Sequence, residues 1–486
     1  MKLIKGIALL SSAAVLTGCF LDDSDDDGEQ APVVNAPTNY EFASKIDDNS
    51  SVSHSGQASR HILINELKAL IGSEELQNSV SAAAALAKLN KVYALGTKDS
   101  DTENNLTEVN VYTDAAEATP VSITPTEATD ELKQASFAAI SGDKNLEGKI
   151  AGQDNDLTNE FIGWDVTITG AQTDSDRPNL LVKEWFGVIS ELAVDGDVNT
   201  KFLGTDTIGV EGVDYQQLVQ KFLLGAVTYS QAAEDYLKAS KGLMKQNSAS
   251  DNLAEFESGE DQTLKSYTSL EHQWDEGFGY FGAAHDYNSR TDAEVKAAYD
   301  FDTNEDGDID LYSEYSFGHS INAVKRDAGA TVAVDFSKAA MDAFLNGRQL
   351  IQDNYGTDPV LGEGYQKYLA QYAETALNNW ENAVAATVIH YINDTIADLN
   401  TLDTAAPASD ENIAKHWSEM KGFALGLQFS PVAQISHADL EVVLNKMAEA
   451  PVTTLAGVDA YIADLESARA TMQSAYGFDA SNVANW

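Results

Sequence analysis

Residues Asp302-Thr-Asn304-Glu-Asp306-Gly307-Asp308-Ile309-Asp310-Leu-Tyr-Ser313-Glu314 place oxygen-bearing side chains at alternate positions around a glycine. Calcium takes roughly six to eight hard oxygen ligands, and a D-x-N-x-D-G run can aim that many at one point. Gly307 is expected to make the sharp turn, and Ile309 to pin the loop by an apolar contact. The predicted shell is Asp302, Asn304, Asp306 and Asp310, completed by the Asp308 carbonyl and Glu314. Where such loops usually carry a bidentate carboxylate stands Ser313, and Glu314 comes one place late. No second loop of this kind accompanies the first, which favours a structural calcium over a sensing one. An acidic surface turn is the competing reading.

A second set of ligand-type residues lies on helices. His272 and Glu276 are spaced i,i+4, and His416 and Glu419 i,i+3, so each pair shares one helix side. On facing helices the two pairs could hold a transition metal such as iron, as carboxylate–histidine sites in bundle cores do. A satisfied His–Glu bond beside a tryptophan and a glycine is equally an ordinary packing motif. The chain has no His-Glu-x-x-His run, no Gly-x-Ser-x-Gly elbow and no glycine-rich phosphate loop after a strand. A zincin-type protease and a serine hydrolase are therefore unsupported. Tyr229, Tyr236, Tyr365, Tyr368, Tyr372 and Trp380 recur at helical spacing and are expected in the core rather than around a ligand.

The third chemically distinctive residue is Cys19, the single cysteine of the chain. Lys2 and Lys5 precede an apolar run too short to span a bilayer, as in an export signal. The sequence Leu16-Thr17-Gly18-Cys19 resembles the lipobox of bacterial lipoproteins. That resemblance implies a signal peptide over residues 1–18, cleavage before Cys19 and its lipidation. Phe20 behind the cysteine is similar to the outer-membrane side of the enterobacterial sorting rule; the periplasmic face and the cell surface both remain open. The acidic residues 21–30 begin a stretch, 19–50, expected to be a solvated tether.

Thirty Lys and Arg against 77 Asp and Glu give a net charge of -47. Such a field repels phosphate backbones and excludes nucleic acid as a partner. The elements positioning the candidate residues read as helices. Apolar stripes of 3.6-residue period run over 60–71, 80–95, 180–192, 215–241, 365–399 and 458–475, and Ser436 with Asp439 suggests a capping box. The fold class is all-α, with long polar loops near 97–130 and 141–177. W-x-E-x-x-G followed by an aromatic occurs at Trp274 and again at Trp417, each after a long helix. Duplication is the favoured explanation, with a first bundle over 51–330 and a second over 331–486.

The segments SGQASRHILINELKALIG (55–72), FLLGAVTYSQAAEDYL (222–237), EHQWDEGFGYFG (271–282) and KHWSEMKGFALGLQFSP (415–431) resemble the bacterial lipoprotein family known as domain of unknown function 4856. That family implies no activity. More distantly, a lipidated, duplicated helical bundle is similar to the imelysin-like proteins, whose signature is G-x-H-x-x-E and whose association is with iron uptake. His416 and Glu419 match that spacing, Ala414 replaces the glycine, and His272 and Glu276 are one residue further apart. The expectation is a non-enzymatic, lipid-anchored envelope protein binding a small ligand or envelope partner, with metal or iron acquisition as its most specific form. A metal-dependent hydrolase using the His–Glu pairs and a purely structural outer-membrane module are the alternatives.

Overall fold

A computed structural model describes residues 31–94, 121–123, 132–134, 144–195, 203–205, 208–249, 264–306 and 309–486. Cys19 with the expected signal peptide over residues 1–18, and Gly307 and Asp308 of the acidic loop, lie outside them. Helix is the dominant structure: α1 (Ser55–Ile71), α2 (Glu74–Gln77), α3 (Ala82–Tyr93), α4 (Arg177–Leu192), α5 (Tyr215–Leu223), α6 (Ser269–Phe281) and α7 (Asp292–Ala297) come first. They are followed by α8 (Gly318–Ala328), α9 (Phe336–Asp353), α10 (Gly364–Leu399), α11 (Asp410–Gly426), α12 (His437–Met447), α13 (Val458–Tyr476) and α14 (Ala480–Asn485). Val121–Ile123 and Leu132–Gln134 pair antiparallel as β1 and β2. No described helix is long and apolar enough to cross a membrane.

The helix ends follow from capping side chains. Ser73, Ser81, Asp214, Thr268, Asp335, Ser409 and Ser436 each accept a main-chain N–H of the first turn they precede, satisfying donors that a helix start leaves orphaned. At Ser436 the expected box is half formed. Its hydroxyl accepts from Asp439 N–H, but Asp439 receives the Ser436 hydroxyl rather than its main-chain N–H.

The 36-residue α10 is the axis of the fold, about 54 Å long at 1.5 Å per residue. From Ala383 to Ile389 every residue of it is buried, because α8, α9, α11 and α13 pack around it. Residues 34–486 form one compact unit. Within it, α5 packs on α11 and α6 on α9, so residue 330 does not mark a division of the packing.

Two local outcomes differ from the periodicity. The helix expected over 215–241 is α-helical only to Leu223 and then widens into π-type turns over Leu224–Tyr229 and Ala232–Tyr236. At that point Gly225 crosses Gly426, and a Cβ built on Gly225 would stand 2.3 Å from the Gly426 Cα. The wider turn accompanies a backbone crossing that only glycine permits. The N-terminal tether is also shorter than expected. Tyr40 is fully buried and stacks on Phe278 with ring centres 3.7 Å apart, and Phe42 and Ser51 are buried with it. An aromatic pair inside an acidic stretch is enough to draw it into the core.

Candidate functional site: the acidic loop and the two histidine–glutamate helices

The acidic loop is closed at its base by the Asp300–Tyr315 bridge and a Phe301 N–H to Glu314 carbonyl bond of 3.1 Å. Ile309 and Leu311 are buried and anchor it, as expected for Ile309. Inside the loop the Asp306 N–H donates to both Asp302 Oδ1 (3.1 Å) and Asn304 Oδ1 (2.9 Å). Glu305, between them, has φ of +59°, a left-handed conformation that non-glycine residues seldom adopt. Asp310 accepts the Tyr312 N–H at 2.8 Å and the Ser313 hydroxyl at 3.1 Å.

Glu314 has a role that the spacing did not foretell. It is buried, and its carboxylate accepts the N–H groups of Thr303, Asn304 and Asp310 at 2.9, 3.1 and 2.9 Å. It therefore ties the two ends of the loop together from behind. The fit to calcium rests on the donor set: a carboxylate or amide oxygen that accepts one N–H keeps a lone pair for a cation. Asn304 and Asp310 show such oxygens, Asp302 and Asp306 are the other side chains that could hold a cation there, and Glu314 supplies the frame. Among the described residues, no three His, Cys, Asp or Glu side chains are grouped as a metal cage.

The two His–Glu pairs are not brought together. On α6, His272 Nδ1 lies 2.9 Å from the Ser53 carbonyl oxygen, its ring stacks on Tyr267, and Nε2 is 3.8 Å from Glu276. Glu276 accepts amide N–H groups from Gln57 and Gln273 at 2.9 and 3.2 Å. On α11, His416 Nδ1 is 2.8 Å from Asp398, and the buried Glu419 faces the Lys221 ammonium at 3.3 Å. Burial alone would raise the Glu419 pKa, but Lys221, Lys415 and Lys68 together bring it below the ordinary value. The pairs share no partner. The geometry thus gives a single ion bridging α6 and α11 no site.

Several chemically active residues escaped the sequence reading. Arg348, fully buried on α9, donates from Nη1 to Glu271 (2.9 Å), from Nε to Asp275 (2.8 Å) and from Nη2 to the Ser51 hydroxyl (2.7 Å). Asp275 also accepts the Tyr40 hydroxyl at 2.8 Å and the Ser53 N–H at 3.0 Å. A signal was present: Arg348 sits in phase with the core residues Met341, Phe344 and Ile351. Four of the eight histidines are held inside the fold. His54 and His285 face each other with Nε2 atoms 2.9 Å apart, and His61 reaches the Gly279 and Tyr280 carbonyls. His319 reaches the Leu224 carbonyl at 3.0 Å. Burial lowers the pKa of His61 to about 3 and of His285 and His319 to about 4, which keeps all three rings neutral at pH 7.

With the fold and these sites in view, the chain belongs to the family described as Domain of unknown function (DUF4856), whose model matches residues 37–479. No curated protein and no solved structure matches the chain.

Proposed function

We propose that this protein is a lipid-anchored component of the bacterial cell envelope whose helical body binds a ligand or envelope partner and is braced by calcium at residues 302–310. The observation that carries the calcium assignment is the convergence of Asp302 and Asn304 on the Asp306 N–H, with Glu314 fixing the loop ends. Carboxylates gathered this way repel one another, and a divalent cation reverses the sign of that interaction. The anchoring reading is supported by Leu16-Thr17-Gly18-Cys19, and Phe20 behind the cysteine supports an outer-membrane address, on the periplasmic face or the surface. The lipid is the membrane partner, and the charge of -47 keeps nucleic acid out. Neither iron acquisition nor hydrolysis gains support from the His–Glu pairs, since the two pairs have separate partners: the Ser53 carbonyl and two amides on α6, Asp398 and Lys221 on α11.

The deciding experiment is thermal unfolding of the soluble body with calcium or with chelator at fixed ionic strength. Binding to the folded state alone stabilises by about 2.7 kcal/mol at a hundredfold excess over Kd. The expected result is a higher Tm in calcium, a small effect of magnesium, and no difference once Asp302→Ala and Asp306→Ala are combined. Superimposed curves for the native protein would leave the loop an acidic turn.

A further inference from the structure

A cavity of about 230 Å³ lies between α11, the C-terminal end of α12 and the segment 163–165. Its inner and outer parts differ in charge. Lys421 of α11 lines it and is fully buried, whereas Asp165, Asn445 and Glu449 on the same lining are exposed. Trp164, mostly buried, supplies an apolar wall. The Lys421 ammonium donates to the Leu444 carbonyl at 2.9 Å, and among the described residues no carboxylate lies within ion-pairing distance of it. One carbonyl leaves most of the donor capacity of an ammonium unused, in a place where an unmatched charge is costly. At the rim, Glu449 accepts the Asp165 N–H at 2.9 Å, which holds the two exposed carboxylates on one side. Ala448, also on the lining, has φ of +58° and ψ of -167°, a backbone region almost reserved to glycine. Strain of that kind collects at ligand sites, where the surrounding structure holds it in place.

We propose that this cavity binds a small zwitterion of the α-amino-acid class, its carboxylate on Lys421, its ammonium between Glu449 and Asp165, and its side chain against Trp164. That ligand matches every charge on the lining: one buried cation for the carboxylate, two rim anions for the ammonium. A simple anion would meet repulsion at the rim, and a simple cation would leave Lys421 unmatched. The volume suits a molecule smaller than those that fill drug-sized sites of roughly 300–1,000 Å³. Burial lowers the Lys421 pKa to about 7, against the pull of the Glu449 charge. A carboxylate in contact favours the ammonium, so binding takes up a proton wherever Lys421 starts neutral. The proposal rests on the reading of the body as a ligand-binding one and is independent of the calcium loop and the anchor. The competing role for Lys421 is a cation on the last carbonyls of α12, beside a cavity that holds water alone.

The experiment is calorimetric titration of the intact folded protein with L-valine and with its two halves, isobutylamine and isovalerate. Valine is expected to bind at least about tenfold more tightly than either half, since each half forfeits one charged contact. Glu449→Gln, a rim change that keeps an acceptor for the Asp165 N–H, should weaken valine about tenfold and leave isovalerate no weaker. Lys421→Met should abolish binding. In the native protein the affinity should fall by up to about tenfold per pH unit as pH rises above about 7, because only the protonated Lys421 pairs with the carboxylate. No binding of valine up to about 10 mM overturns the proposal, as does an amine or acid half that binds as tightly as valine, or an affinity that is flat with pH. Should Lys421→Met fail to fold, Glu449→Gln and the native pH profile decide. Failure here with the calcium shift of Tm retained would sink the cavity alone and leave the calcium brace standing.

Discussion

Helices α6 and α11 carry the same pattern of tryptophan, glutamate and glycine, yet only part of it does the same thing in both. The tryptophans agree in reaching a main-chain carbonyl: Trp274 donates its indole N–H to the Phe344 carbonyl of α9 at 2.9 Å, and Trp417 shares its own between the Met447 carbonyl of α12 at 3.0 Å and the Tyr461 hydroxyl at 2.7 Å. Both are fully buried. The glycines agree as well, since a Cβ on Gly279 would meet His54 at 2.6 Å and one on Gly422 would meet Lys221 at 2.7 Å. Each lets a neighbouring helix end or helix close in. The charged positions diverge. Around α6, Glu271 and Asp275 share Arg348, while Glu276 is left to amides; on α11, Glu419 takes the charge of Lys221. Tryptophan and glycine specify a packing geometry, whereas the chemistry of the carboxylate is set by what the next helix brings.

That contrast can be broken most forcefully at its charges. Arg348→Met would strand the buried Glu271 and Asp275 without their cation, and loss of one partner from a buried ionic group costs about 3–5 kcal/mol. Lys221→Met should cost less, about 1–3 kcal/mol, because Lys68 remains to face Glu419. Denaturant unfolding of both variants measures the ordering. Equal losses would mean that the two helices are electrostatically alike after all.

The shared part of the pattern predicts a symmetry. Trp274→Phe and Trp417→Phe each remove an indole N–H bond to a main-chain carbonyl and some core volume, for about 1–3 kcal/mol, and Trp417→Phe also loses the contact with the Tyr461 hydroxyl, which keeps its own bond to the Met447 carbonyl. The two losses should match within about 0.5 kcal/mol if the motif is one packing unit used twice, a difference that careful urea midpoints resolve. A large loss at one site alone would make the repeat accidental.

A pH-dependent difference concerns acid. His61 caps carbonyls at the end of α6, and no histidine does so for α11 among the described residues. Its pKa is lowered from 6.5 to about 3 by burial. Between those values the unfolded chain binds the proton and the folded chain does not, so this term loses stability as pH falls through 6.5 toward 3. The slope is about 1.4 kcal/mol per pH unit at its steepest. His61→Gln should be less stable at pH 7 from lost packing, yet show a flatter stability profile across that window. An unchanged slope would mean that the ring is charged inside the fold.

Much of this was legible along the chain. The stripe Leu369, Ala376, Trp380, Val384, Val388 marks α10 because apolar residues at 3.6-residue spacing have one way to be buried together. The alternating oxygens of 302–310 are local, so loop bonding follows from order in the sequence. Glu314 was placed in the right loop, but its bracing role was not legible, because its partners are main-chain N–H groups that appear only when both loop ends meet. The boundary expected at 330 and the tether expected to reach residue 50 were read from composition and repetition, neither of which reports on the partner across the fold.

By itself the sequence determined the helical class, the acidic field and the helix caps. Each of these depends on residues within a few positions of one another or on totals over the chain. The tertiary structure alone decided that Tyr40 closes onto Asp275, that Gly225 crosses Gly426, that Arg348 serves α6, and that Lys221 meets Glu419. Those are meetings of residues far apart in sequence. Desolvation and the few ångströms between charges, which set what an arginine, lysine or glutamate can do, exist only once such residues have met.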